Sequence, residues 1–126
     1  MRHIKNYKKF ESVDYQIENQ FINEIADITL ELKDSGYLVD VRVNRFKPVE
    51  YEIRISQFGY RNNLITWGEL KETIIRITQF SYDNGYMVRF FADGIEFMKG
   101  FKNDIDFNGV SDDITQFGFR MLITKI

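Results

Sequence analysis

The phrase "DSGYLVDVRV" at Asp34–Val43 returns in altered form as "DNGYMVRFF" at Asp83–Phe91, with the two glycines 49 residues apart. Each Gly is followed by Tyr, an apolar residue and Val, with an Arg further on. Upstream of the first phrase, Ile17, Phe21, Ile25, Ile28 and Leu32 recur at spacings of three and four, which places them on one stripe of a helix from about Asp14 to Ser35. Ser12 suits its N-cap, and Asp14 and Glu18 suit the positive end of its dipole. Upstream of the second phrase, Trp67, Leu70, Ile74 and Ile77 form a matching stripe. There "TWGE" offers Thr66 as N-cap with Glu69 three residues on, the pattern of a capping box. Gly36 and Gly85 supply the left-handed residue that ends each helix, so both are expected at positive φ, and Tyr37 is expected to pack back on the last turn.

After each stop the period changes from 3.6 to 2. In "YLVDVRV", Tyr37, Val39, Val41 and Val43 face one way and Leu38, Asp40 and Arg42 the other. In "YEIRI", Tyr51, Ile53 and Ile55 alternate with Glu52 and Arg54, and Pro48 marks the turn between these strands. "YMVRFF" and "IEFM" flank a hairpin turn at Asp93 and Gly94. "FGFRMLI" puts Phe117, Phe119, Met121 and Ile123 on one face. The order αββαβββ follows. It describes an α+β fold with one mainly antiparallel sheet, two helices on one face and an internal duplication of αββ units.

The chain has 126 residues, 44% of them hydrophobic, which suits one domain with a real core. Residues 1–12 read as a basic arm bearing Arg2, Lys5, Lys8 and Lys9, and residues 13–126 as the domain. The acids Glu11, Asp14, Glu18, Glu24, Asp27 and Glu31 follow the arm and read as the solvated face of the first helix. There is no Cys, so disulfides, thiolate metal sites and Cys nucleophiles have no members, in keeping with a reducing compartment. No apolar run is long enough for a membrane span, and no apolar segment follows the basic start as a secretory signal requires.

The opening "MRHIKNYKKFES" resembles the first dozen residues of small tailed-phage proteins, in which a basic residue, an Ile-Lys pair and spaced aromatics precede an acid. "ELKDSGYLVDVRV" is similar to such proteins too, as is the abundance of Ile, Asn and Phe with only two Ala. The resemblance covers the N-terminal third. It implies a viral accessory or virion protein, located in the host cytoplasm or the virion, and assigns no functional residue.

Three candidate sites stand out. Asp104, Asp106, Asn108 and Gly109 match the start of an EF-hand calcium loop, but Thr115 occupies the position of its bidentate Glu and neither flank reads as a helix. The stretch is therefore read as an acidic surface turn, with weak calcium binding as the alternative and no metal assigned. Phe58, Tyr60 and Arg61 lie in the loop before the second helix, where such side chains either cover the end of the core or form a recognition surface. The only His is His3, no Ser sits in a GxSxG elbow, and spacing selects no carboxylate pair. The chain reads as non-enzymatic, with no cofactor.

The third candidate is the sheet face opposite the helices. The alternation puts Arg42, Arg54, Arg89 and Arg120 there, interleaved with Leu38, Met87, Phe91, Met98 and Leu122 and with Asp40, Glu52 and Glu96. Cross-strand ion pairing on a solvated sheet accounts for such a pattern. A protein-binding surface, in which Arg, Met and aromatics are enriched, accounts for it as well. On the second reading Arg42, Arg54, Arg89, Phe91, Met98 and Arg120 contact a protein partner or a second copy. Nucleic acid is the alternative, disfavoured by the net charge of −2 and pI near 5.4.

Overall fold

The computed structural model describes residues 20–44, 50–57 and 64–126. Helix α1 (residues 20–34) leads into strands β1 (Tyr37–Asn44) and β2 (Glu50–Gln57). A two-residue strand β3 (Ile65–Thr66) precedes helix α2 (Trp67–Asp83), followed by β4 (Tyr86–Ala92) and β5 (Ile95–Phe97). A short helix α3 (Asp104–Asn108), a second two-residue strand β6 (Thr115–Gln116) and β7 (Gly118–Lys125) complete the described chain. The expected α+β order is present, with α3 and the β3–β6 ribbon added to it. The expected helix start at Ser12, Asp14 and Ile17 and the turn at Pro48 lie outside the described residues.

Gly36 and Gly85 sit after the two long helices at φ 95° and 84°, as their sequence context requires. Five strands form an antiparallel sheet in the order β1-β2-β7-β4-β5. Its registers relate the two units. Tyr37 faces Gln57 in the β1–β2 ladder, and Tyr86, 49 residues on, faces Lys125 in the β4–β7 ladder. The return strands β2 and β7 are thus offset by 68 residues, and in the β2–β7 ladder the Ile53–Met121 pair has that offset. A two-fold rotation normal to the sheet through this pair carries one unit's register onto the other. The 49-residue spacing of the glycines also relates Ile25, Ile28 and Thr29 of α1 to Ile74, Ile77 and Thr78 of α2. Thr29 and Thr78 are both fully buried, each donating to a carbonyl of the preceding turn, Ala26 O at 2.8 Å and Ile74 O at 2.7 Å.

One core joins the helices to a single sheet face. Phe21, Ile25 and Leu32 of α1 and Leu70, Ile74 and Ile77 of α2 are buried in the same cluster as Tyr51, Ile53, Ile55, Val88, Phe90, Phe119, Met121 and Ile123. Aromatic rings gather at two places. Phe21 stacks on Tyr86 at 4.2 Å and on Phe80 at 5.3 Å, while Trp67 lies 5.9 Å from Phe107 and 5.7 Å from Phe119. Phe107 comes from α3, so that short helix contributes a core plug.

Three expectations about side-chain placement, at Thr66, Phe117 and Met98, are corrected. Thr66 is the N-cap of α2, but its side chain makes no capping hydrogen bond. The segment before β6 does that work: Trp67 N donates to Ile114 O at 2.7 Å and Gly68 N to Asp112 O at 3.0 Å. Glu69, free of the capping role, accepts instead from the Tyr37 hydroxyl, tying β1 to α2. Burial pushes the Tyr37 phenol up to about 12, reinforced by this hydrogen bond and the carboxylate charge. Phe117 is 54% exposed, not on the core face, because its N–H is drawn to Asp93 Oδ1 in the bend before β7 begins at Gly118. The third correction, Met98, belongs to the site below.

Candidate functional site on the open sheet face

Period-2 alternation turns Tyr51, Ile53, Ile55, Val88, Phe90, Phe119 and Ile123 to the core and leaves the other side of the sheet mainly to charged residues; Val43, expected on the core side, is 43% exposed on the edge strand. The hydrogen-bond registers arrange the residues of that other side into cross-strand rows. One row reads Asp40, Arg54, Arg120, Phe91, Glu96, and the next reads Arg42, Glu52, Leu122, Arg89. None of the described elements covers them, and the four Arg side chains are 38–57% exposed.

Every Arg of the face meets a carboxylate. Arg42 Nε lies 2.6 Å from Asp40 Oδ2, and Arg54 Nε lies 2.6 Å from Glu52 Oε1. Arg89 holds Glu96 Oε2 through Nη2 at 2.6 Å and Nε at 2.7 Å, and Lys99 approaches the other oxygen at 3.8 Å. Arg120 has only a longer contact, 3.5 Å from Nη1 to Glu52 Oε1. The hydrogen bond that Arg54 donates to Glu52 raises the Arg54 pKa further above its usual value. Phe91 sits between two guanidinia, with Arg120 Cζ at 4.7 Å and Arg89 Cζ at 5.3 Å from its ring centre. Ion pairing and an Arg–Phe–Arg cluster therefore coexist on this face.

Of the six residues expected to contact a partner, five share this surface: Arg42, Arg54, Arg89, Phe91 and Arg120. Met98 does not. Strand β5 ends at Phe97, Met98 adopts φ 51°, and the alternation breaks so that its side chain is buried in the core. Leu38 and Met87 are exposed as expected, but the register sets them at opposite ends of the face, so the apolar side chains are dispersed among charges. The loop residues Phe58, Tyr60 and Arg61, and also His3, lie outside the described residues.

The acidic stretch is a helix rather than the expected turn. Asn103 caps α3 by accepting from Asp106 N at 3.2 Å. The carboxylates are engaged separately: Asp104 accepts from Gln79 Nε2 at 2.8 Å and Asp106 from Lys102 N at 2.9 Å. Gly109 has φ −75°, not the conformation of a calcium-loop glycine. Among the described residues no group of three or more His, Cys, Asp or Glu is placed to hold a metal ion, and no helix is long and apolar enough to cross a membrane.

Sequence reasoning missed the depression at one end of the open face, a cavity of about 300 Å³ beside Arg54, Ser56, Phe91, Gly118 and Arg120. The signal was present as the Gly of "FGFR", a residue with no side chain on a face of long ones. No protein-family model matches the chain, and no curated protein and no solved structure is significantly similar to it.

Proposed function

We propose that this chain is a binding module without catalysis of its own, and that its open sheet face docks a protein surface. The Arg–Phe–Arg cluster carries this reading: Phe91 is held between Arg89 and Arg120 on a face that no described element covers. Aromatic and Arg side chains are the types that anchor protein interfaces. Burial by a partner would strengthen ion pairs that solvent now screens. The resemblance of the N-terminal third to tailed-phage proteins supports a virion component, a host factor or a second copy as the surface met.

Charge reversal at Arg89 and Arg120 together is the test. The double variant should stay folded and lose about 1 kcal/mol or less, because exposed ion pairs contribute little to stability. Sedimentation velocity should show reduced self-association, or cross-linking mass spectrometry should show loss of partner contacts that in the parent map to this face. Parent-like assembly and partner contacts would overturn the reading.

Nucleic acid is the second reading, favoured by the same Phe91 platform, on which a base could stack. Asp40, Glu52 and Glu96 interleave with the Arg residues and repel a polyanion, so the protein surface is preferred. A steep fall in oligonucleotide binding with salt would reverse that preference.

A further inference from the structure

The end of the open face nearest the β4–β5 turn is electrostatically incomplete. Arg54 and Arg120 stand directly opposite one another in the β2–β7 ladder, and like charges in that position disfavour pairing. Both guanidinia turn to one oxygen, Glu52 Oε1, at 2.6 and 3.5 Å. The nearer contact is a hydrogen bond from Arg54, whereas Arg120 makes no hydrogen bond among the described residues and rests over Phe91. Asp40 stands opposite Arg54 in the β1–β2 ladder but is held by Arg42 at 2.6 Å, so Glu52 alone is shared by the two guanidinia, which leaves several N–H donors unmatched.

The 300 Å³ cavity opens beside this pair. Ser56 and Gly118 face each other across the same ladder, and Gly118 leaves the floor without a side chain. Asp93 lies at the rim, but its Oδ1 accepts from Phe117 N and Gly118 N, both at 3.0 Å, which directs that charge into the turn. We infer that this cavity receives the carboxylate of an Asp or Glu side chain on an acidic peptide segment of the docked partner. The inference rests on the protein-binding reading above. A guanidinium fork matches a carboxylate in shape and charge, the Ser56 hydroxyl offers a further donor, and Phe91 packs on the aliphatic stem.

The probe is an acetylated, amidated tetraglutamate peptide titrated into the isotope-labelled protein. Shifts are expected at the Ser56 and Gly118 amides and at the Nε–H groups of Arg54 and Arg120, with tetraglutamine binding about tenfold more weakly. Arg120→Gln should weaken tetraglutamate binding about tenfold, while Arg76→Gln, on helix α2 where it pairs with Glu31, leaves it unchanged. Parent-like melting of both variants separates lost binding from lost fold. Absence of these shifts at millimolar peptide overturns the inference, as does tighter binding of a short oligothymidylate. If tetraglutamate fails while charge reversal at Arg89 and Arg120 still abolishes partner contacts, the acidic-peptide assignment falls and the broader reading stands. If charge reversal also leaves those contacts intact, both fall.

Discussion

In the first unit the chain passes from β1 to β2 across residues 45–49, whereas in the second it passes from β4 to β7 through β5, α3 and β6. The shared skeleton is a helix, a left-handed Gly, a strand and a returning strand. The additional elements do two things that the skeleton alone does not. They supply Phe97, Phe101 and Phe107 to an aromatic cluster around Trp67, Phe90 and Phe119. Their carbonyls at Asp112 and Ile114 also receive the first N–H groups of α2. Gly68 permits that approach, since a Cβ there would meet the Asp112 Cβ at 3.0 Å. Two units built to one register can therefore differ in how each helix is anchored.

Equivalent core positions test whether the units share the load. Ile25 and Ile74 are both fully buried, and truncation of either to Ala should cost about 2–5 kcal/mol in chemical denaturation. Near-equal costs support equivalent packing, and a cost below about 1 kcal/mol at either site would break the comparison.

The Tyr37–Glu69 tie joins the two units, and it carries a pH signature. The folded phenol titrates near 12, above the ordinary value of 10.0 that the unfolded chain shows. Its stabilising contribution is therefore fully present below pH 10 and is lost as pH rises through 12, on the order of 2 kcal/mol. Denaturation of the parent and of Tyr37→Phe across that window should show the alkaline loss shrinking in the variant. The same slope in both would place the titration elsewhere.

The paired glycines give a smaller and cleaner comparison. A Cβ at Gly36 or Gly85 would meet no atom within 4 Å, so substitution costs only the strain of positive φ. Val at either position should lower stability by about 1–2 kcal/mol, equally in the two units. Thermal melts that differ widely between Gly36→Val and Gly85→Val would show that the two helix stops are not equivalent.

The smallest expected effect is a gain confined to the additional elements. Gln116 of β6 is 2% exposed, and neither its Oε1 nor its Nε2 has a hydrogen-bond partner among the described residues. Gln116→Met removes an unsatisfied amide at nearly constant volume and should raise stability by about 1 kcal/mol. A loss in the melt would show that the amide is satisfied in solution.

The skeleton was legible because long elements write their period into the sequence. The stripes through Phe21, Ile25 and Leu32 and through Trp67, Leu70, Ile74 and Ile77 are buried as their spacing requires, and so are Ile53, Ile55, Phe119 and Met121. The additional elements were not legible. A five-residue helix and two-residue strands are shorter than any period that could announce them. Met98 at positive φ is a non-Gly residue that no local pattern marks, and its burial removed it from the site. The capping box at Thr66 failed for a different reason: carbonyls more than forty residues away in sequence occupied the donors first. At the site, alternation alone placed the four Arg residues on one side. The sharing of Glu52 by Arg54 and Arg120 depends on the β2–β7 pairing, which a strand-by-strand reading cannot supply.

The strand that bridges the two units follows every other described element in the chain. β7 lies between β2 and β4, so the β1–β2 and β4–β5 hairpins can each zip locally but cannot join until Gly118–Lys125 arrives. During synthesis both hairpins would leave the ribosome with an unpaired edge facing solvent, a risk for mispairing between neighbouring chains. Closing the sheet then requires contacts such as Ile53–Met121 across a long loop, which predicts folding in the slower range for a domain of this size and a late, cooperative step.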